Sequence, residues 1–183
     1  ARKRAIPQAE SDVLNNMALL DIVSGKGNFE VEAGALLSSA LKLSKMPIKN
    51  LVIQLNMALY DLSKGDFTKA ETTLKMVRKQ AFKKEYYELM VRSTLRLGQL
   101  FIQKGEPEKG LRYAKEAYDL AVYWDDRRGI VDVSDLLSFH YEKNGDKPQA
   151  LDYAKIIYNV RKGLAAKAFE EPDLARIRRL ESQ

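Results

Sequence analysis

Few side chains in this 183-residue sequence are suited to catalysis. Histidine occurs once, at His140, and cysteine is absent, which leaves no thiolate nucleophile, disulfide or cysteine–histidine metal site. A lone histidine on a predicted helix is more often a packed residue than a general base. Asp125 and Asp126 lie in a predicted linker, where carboxylates commonly cap the next helix. Gly25-Lys26-Gly27 is too short for a phosphate-binding loop and follows no strand. We therefore predict no catalytic residue, no metal and no cofactor.

A polar stripe on one predicted helix is better suited to binding. Its members, at spacings of four, three and four residues, are Arg92, Arg96, Gln99 and Gln103. This spacing places them on one helix face, where guanidinium groups could hold a carboxylate or phosphate of a ligand. Alternatively, Asp132 and Asp135 of the following helix could neutralise the two arginines internally. We favour internal pairing for Arg92 and a ligand-binding role for Arg96.

The positive charge of the chain is partly concentrated at its start. The formal net charge is +6, and Arg2, Lys3 and Arg4 supply three of the positive charges. We predict a solvated basic arm over residues 1–10, with direct nucleic-acid binding the less favoured reading. No apolar run reaches the roughly 18 residues of a membrane span, and no signal peptide precedes the first predicted helix. We expect a cytoplasmic protein without membrane contact, and further residues upstream because the sequence begins at Ala1.

The elements that position these side chains are predicted to be helices. Apolar residues recur at spacings of three and four, and strand-like alternation is nearly missing. Glycines mark turns with a fixed period, since Gly65, Gly105 and Gly145 lie 40 residues apart. A large apolar residue followed by a small one recurs with the same 40-residue period, at Met17–Ala18, Met57–Ala58, Leu97–Gly98 and Leu137–Ser138. Such a period predicts an α-solenoid, in which each helix pair stacks on the next.

The repeat is most complete between Leu97 and Ala117. This segment reads Leu-Gly-x-x-Phe, then Gly, then Gly-x-x-x-Ala-x-x-Ala, and it resembles the tetratricopeptide repeat. The resemblance covers roughly residues 11 to 163. The chain departs from the family pattern at Asp21 and Asp61, where an aromatic residue is usual, and in a period of 40 rather than about 34 residues. The longer period is similar to repeats in bacterial signalling receptors, kinesin light chains and mitotic-spindle adaptor proteins.

This resemblance implies an all-α, right-handed solenoid of antiparallel helix pairs. We assign four pairs to residues 11–169 and a C-terminal capping or connector helix to residues 170–183. The predicted helix follows a break at Glu171–Pro172, with Leu174, Ile177 and Leu180 on one face. We expect Arg176, Arg178 and Arg179 to lie mostly on the opposite, outer face.

The resemblance also implies a concave groove lined by the first helix of each pair. The residue before each large–small pair would point into it, at Asn16, Asn56, Arg96 and Leu136. Related peptide receptors use groove asparagines to bind the ligand backbone, a role that the resemblance carries onto Asn16 and Asn56. The alternative is that both amides simply face water. Phe139 would add apolar floor to the groove.

The implied function is that of a non-enzymatic module that binds a protein or extended peptide. We expect it to be the sensor or adaptor part of a larger regulatory protein, and a homo-oligomer is compatible with these features. The alternative is the ligand-receiving domain of a peptide-responsive transcription regulator whose DNA-binding part lies outside this chain. Direct binding of RNA or DNA is the third and least favoured possibility.

Overall fold

The computed structural model describes residues 2–25, 32–163 and 167–182, with side chains described over 7–25, 32–163 and 172–182. These ranges contain helices and no strands. In chain order the helices are α1 (Arg2–Ser24), α2 (Ala33–Leu43), α3 (Pro47–Ser63), α4 (Phe67–Lys84), α5 (Tyr87–Gln103), α6 (Pro107–Tyr123), α7 (Arg127–Lys143), α8 (Lys147–Gly163) and α9 (Lys167–Glu181). The prediction of an all-α chain is confirmed.

Each helix packs against the next one along the chain, and the first helices of the pairs also touch one another. Contacts between α1 and α3, α3 and α5, and α5 and α7 bring these odd-numbered helices side by side. The buried apolar residues form successive clusters between neighbouring helices, from Ala18 and Leu37 at one end to Ile177 and Leu180 at the other. The predicted stacking of consecutive helix pairs is therefore confirmed.

The turns within three of the pairs depend on glycine. Gly65, Gly105 and Gly145 have φ angles of 79°, 85° and 80°, in a region that other L-residues rarely adopt. The next helix starts at once, and at α4 the carboxylate of Asp66 accepts a hydrogen bond from the Lys69 backbone N–H. The 40-residue glycine period thus marks real turns between helices.

The small residues lie where the two helices of a pair cross. A Cβ atom added to Gly98 of α5 would lie 3.0 Å from the backbone oxygen of Gly110 in α6. At the equivalent crossing of α7 and α8, the Ser138 hydroxyl donates to the Ala150 carbonyl oxygen at 2.8 Å. The α5–α6 pair has a glycine on each helix, Gly98 and Gly110, because a side chain at this crossing would press against the facing helix.

Two predicted boundaries differ from the structure. Residues 2–10 form the beginning of α1 and not a separate arm, since lysine and arginine are good helix formers and their charge does not end a helix. The final helix begins at Lys167, before the predicted break, and continues through Pro172. A helix tolerates an internal proline when the loss of one hydrogen bond is offset by packing, and Ile177 and Leu180 are buried against α8.

Candidate functional site

A groove runs along the odd-numbered helices as three adjoining concavities. The N-terminal concavity, of about 360 Å³, and the central concavity, of about 460 Å³, share the lining residues Val23, Leu59 and Arg96. The central concavity shares Leu136, Phe139 and Lys143 with the C-terminal concavity, of about 760 Å³. Because each concavity shares side chains with the next, the three form one continuous groove from α1 to α9.

All the side chains predicted to bind a ligand line this groove. Asn16, Asn56, Arg92 and Arg96 line the N-terminal concavity. Arg96, Gln99, Gln103 and Phe139 line the central one. Arg96 belongs to both sets and lies where the two concavities meet.

Asn56 lies at the buried floor of the N-terminal concavity. Its side chain is 0% exposed, and its Nδ2 donates to Asn15 Oδ1 at 2.9 Å. Asn15 in turn donates from Nδ2 to Oδ1 of the exposed Asn16, at 3.5 Å. These bonds orient the Asn56 amide and leave its Oδ1 without a hydrogen-bond partner in the described part of the chain. An unpaired buried carbonyl oxygen is costly, but this atom is enclosed by the protein, so a ligand in the groove does not reach it in this conformation.

Sequence reasoning missed Asn15 and only partly described Asn56. The alternative that both predicted amides face water holds for Asn16, which is exposed, and is wrong for Asn56. Asn15 is the side chain that reaches Asn56, because a shift of one residue turns a side chain by about 100° around the helix. The sequence signal was a pair of adjacent asparagines in an otherwise apolar segment.

The arginines of α5 do not form ion pairs with the acids of α7. Arg92 Nη1 lies 3.5 Å from Glu88 Oε1, one turn earlier in the same helix. Arg96 Nη1 donates to Gln99 Oε1 at 2.6 Å, and no carboxylate of the described residues lies within ion-pair distance of Arg96. The predicted ion pairs of these arginines with Asp132 and Asp135 are therefore not formed, although the charge of Asp132 still attracts both arginines.

Asp135 instead pairs with the last helix. Arg176 Nη1 of α9 donates to Asp135 Oδ1 at 2.9 Å, and Arg179 Nη2 lies 2.6 Å from Glu142 Oε1 of α7. These two arginines thus contact α7 and do not form the outer polar face that the sequence predicted. The acids at the C-terminal end of the groove are neutralised by this helix.

Burial and neighbouring charges shift the pKa values of two groups that line the N-terminal concavity, Arg96 and Asp132. Burial lowers the pKa of Arg96, the charge of Arg92 lowers it further, and Asp132 opposes both effects. Burial also raises the pKa of Asp132, against the attraction of Arg96, Arg128 and Arg92. Since a guanidinium stays protonated in proteins, Arg96 is a poorly solvated cation that a ligand anion would stabilise.

The lone histidine lies at the edge of the central concavity. The Asn144 amide nitrogen lies 3.1 Å from His140 Nε2, and burial followed by the charge of Lys143 lowers the pKa of the ring. A neutral imidazole is therefore favoured. Among the described residues, no group of three or more histidine, aspartate or glutamate side chains could hold a metal ion.

Comparisons with known proteins support the fold alone. No family model matches the chain, and no curated protein sequence matches it. The structure is similar to one titled "Crystal structure of BtubC (BKLC) from P. vanneervenii", with a TM-score of 0.66 over 99% of this chain and 82% of that chain. The sequence identity is 17%, which shows a shared helical fold and carries no information on the ligand. In the described ranges, no helix is both long and apolar enough to span a membrane.

Proposed function

We propose that this chain is a non-enzymatic module that holds an extended peptide or partner segment in its groove. The observation that carries the proposal is the groove itself, whose adjoining concavities are lined by the exposed Asn16 amide, by Arg96 and by the exposed Phe139. In this proposal the chain is the sensor or adaptor part of a larger regulatory protein and performs no reaction itself.

The proposal includes a tetratricopeptide-like architecture, a right-handed solenoid of antiparallel pairs. It is supported by the side-by-side contacts of α1, α3, α5 and α7, which place one helix of each pair along the groove. A solenoid of this kind presents an extended concave surface, which suits a ligand that is itself extended.

An extended peptide offers hydrogen-bonding groups to the surface of the N-terminal concavity. The buried Asn56 lies beneath this surface and donates to Asn15, which in turn donates to the exposed Asn16. The exposed Asn16 amide can both donate to and accept from a peptide group of the ligand. Val52 and Leu59, which line the same concavity, provide apolar contact between these polar points.

The experiment is a binding measurement on asparagine variants. The probes are peptides recovered from a random 12-residue display library, and their affinities for each variant are measured by isothermal titration. Loss of one hydrogen bond is worth about 0.5–1.5 kcal/mol, so Asn16→Ala, which removes the exposed amide, should weaken binding by about two- to ten-fold. Asn56→Ala should weaken it by a smaller factor, because this buried side chain reaches the groove surface only through Asn15 and Asn16.

The structure also dictates the controls. Asn56→Ala removes the bond to Asn15 as well, so its unfolding curve must be recorded beside its affinity. Asn159→Ala, at an exposed asparagine of α8 that does not line the groove, is the matched control and should bind like the original chain. Unchanged affinity in both Asn16→Ala and Asn56→Ala would show that the groove is not the binding site.

A further inference from the structure

We infer that the central concavity selects an acidic side chain, Asp or Glu, next to a large apolar side chain of the bound segment. This inference rests on the proposed function and names the ligand chemistry of that same groove. It is carried by the charges and the exposed apolar surface of the central concavity.

The charged lining of the central concavity has one sign. Arg96 and Lys143 supply two cations, and neither an aspartate nor a glutamate lines this concavity in the described part of the chain. Arg96 donates to the neutral amide of Gln99, and Lys143 has no ion-pair partner in the described ranges. A carboxylate entering this space would be attracted by this positive charge, and the one acid that already attracts Arg96, Asp132, lies in the adjoining concavity.

The remaining surface of the concavity is largely apolar. Phe139 lines both the central and the C-terminal concavities, and it is 62% exposed. Leu59, Leu62 and Leu136 line the same space. Burying apolar surface is favourable by about 25 cal/mol per Å², so a leucine, isoleucine or phenylalanine of the ligand would be held beside the carboxylate.

The course of the groove favours a side-chain carboxylate over a chain terminus. The groove does not end at the central concavity but continues past Phe139 and Lys143 towards Arg176 and Arg179 of α9. The acids in that last part, Asp135 and Glu142, are already paired with these two arginines. A peptide can therefore run through the central concavity, and no unpaired acid in the described part of the groove beyond it repels the ligand.

The test is a peptide selection in which no free carboxyl terminus is present. Random 12-residue peptides covalently joined at their C-termini to the encoding RNA are selected on the full 183-residue chain and on the double variant Arg96→Gln, Lys143→Gln. The matched control is Arg112→Gln, Lys79→Gln, which changes the net charge equally at exposed residues outside the groove. We expect Asp or Glu beside an apolar residue in peptides from the chain and the control, and no such preference with the double variant.

The second step measures one selected peptide, synthesised with an amidated C-terminus. Replacing its acidic residue by the matching amide should weaken binding to the chain about ten-fold or more, the loss expected for a charged hydrogen bond. The same replacement should change binding to Arg96→Gln, Lys143→Gln by less than about two-fold. Equal losses on both proteins would overturn the inference.

The outcomes separate this inference from the proposed function. Peptides that lose affinity on Asn56→Ala but show no acidic preference would overturn the inference and leave the proposed function standing. Binding only by peptides with a free terminal carboxylate would overturn it as well. If selection yields no peptide that depends on a groove residue, or yields binding to RNA itself, both the inference and the proposed function fail.

Discussion

The crossing of α5 and α6 allows a quantitative prediction for the substitution Gly110→Ala. A Cβ atom at Gly110 would lie 2.6 Å from Ile102 Cγ1, 2.7 Å from the Gly98 carbonyl oxygen and 2.9 Å from the Ile102 backbone nitrogen. Two of these three atoms belong to the backbone of α5, so a side-chain rotation cannot relieve the overlap. The helices must move apart, and this movement separates apolar groups that are now packed.

The expected loss of stability combines two opposing terms. Overpacking a filled interior costs about 1–3 kcal/mol, whereas alanine in place of glycine within a helix gains up to about 1 kcal/mol. The backbone contacts place Gly110→Ala in the upper part of the overpacking range, for a net loss of about 1–2 kcal/mol. For a chain of this length the melting temperature should then fall by about 2–8 °C.

Two other glycines provide graded controls for this reasoning. A Cβ atom at Gly98 would lie 3.0 Å and 3.1 Å from its nearest neighbours, so Gly98→Ala should cost less than Gly110→Ala. Among the described residues, a Cβ atom at Gly163 would meet only Arg127 Nη1, at 3.9 Å, and Gly163→Ala should be neutral or slightly stabilising. Urea and thermal unfolding, followed by circular dichroism, measure all three variants. If Gly110→Ala is as stable as Gly163→Ala, the close approach of α5 and α6 is wrong.

Two further predictions concern α9 and His140. Deleting residues 167–183 should expose the apolar surface around Ala154 and Tyr158, and sedimentation should then show self-association; a monomer of unchanged stability would contradict the capping role. The pKa of His140 is lowered in the folded chain, so the unfolded chain binds more protons, and stability should fall as pH drops below about 6.5, the ordinary value. In urea unfolding between pH 5 and 7, His140→Gln should lose this component of the pH dependence; identical profiles would refute the assignment to His140.

The repeat structure was predictable because its signals depend on backbone conformation and close packing. Gly65, Gly105 and Gly145 recur because each turn needs a positive φ angle, and the small residues recur because paired helices must approach closely. The ends of the chain lack such requirements. The charge at Arg2–Arg4 and the proline at Pro172 influence helix formation only weakly, so they could not define where α1 and α9 begin.

The sequence predicted which residues line the groove, but it did not predict which side chains form ion pairs or hydrogen bonds with one another. Helical spacing correctly grouped Arg96, Gln99 and Gln103 on the groove, because one helix positions all three. The partner of Asp135 depends on how α9 packs against α7, which a repeat period does not specify. Similarly, the burial of Asn56 depends on the distance between α1 and α3, which brings Asn15 within hydrogen-bond distance.

Equivalent positions of successive repeats are of two kinds. Some keep a small residue in each helix pair, and others change residue type from one pair to the next. The crossing positions Ala18, Ala58, Gly98 and Ser138 are all small, and at Gly98 an added Cβ atom would meet backbone atoms of α6. The positions one residue earlier change from Asn16 and Asn56 to Arg96 and then to Leu136. Along the groove, the lining therefore changes from amides to a guanidinium group and then to apolar surface. Under the proposed function, an extended ligand that matches this order in one direction would be mismatched in the reverse direction, so the order of these side chains would select one direction of binding.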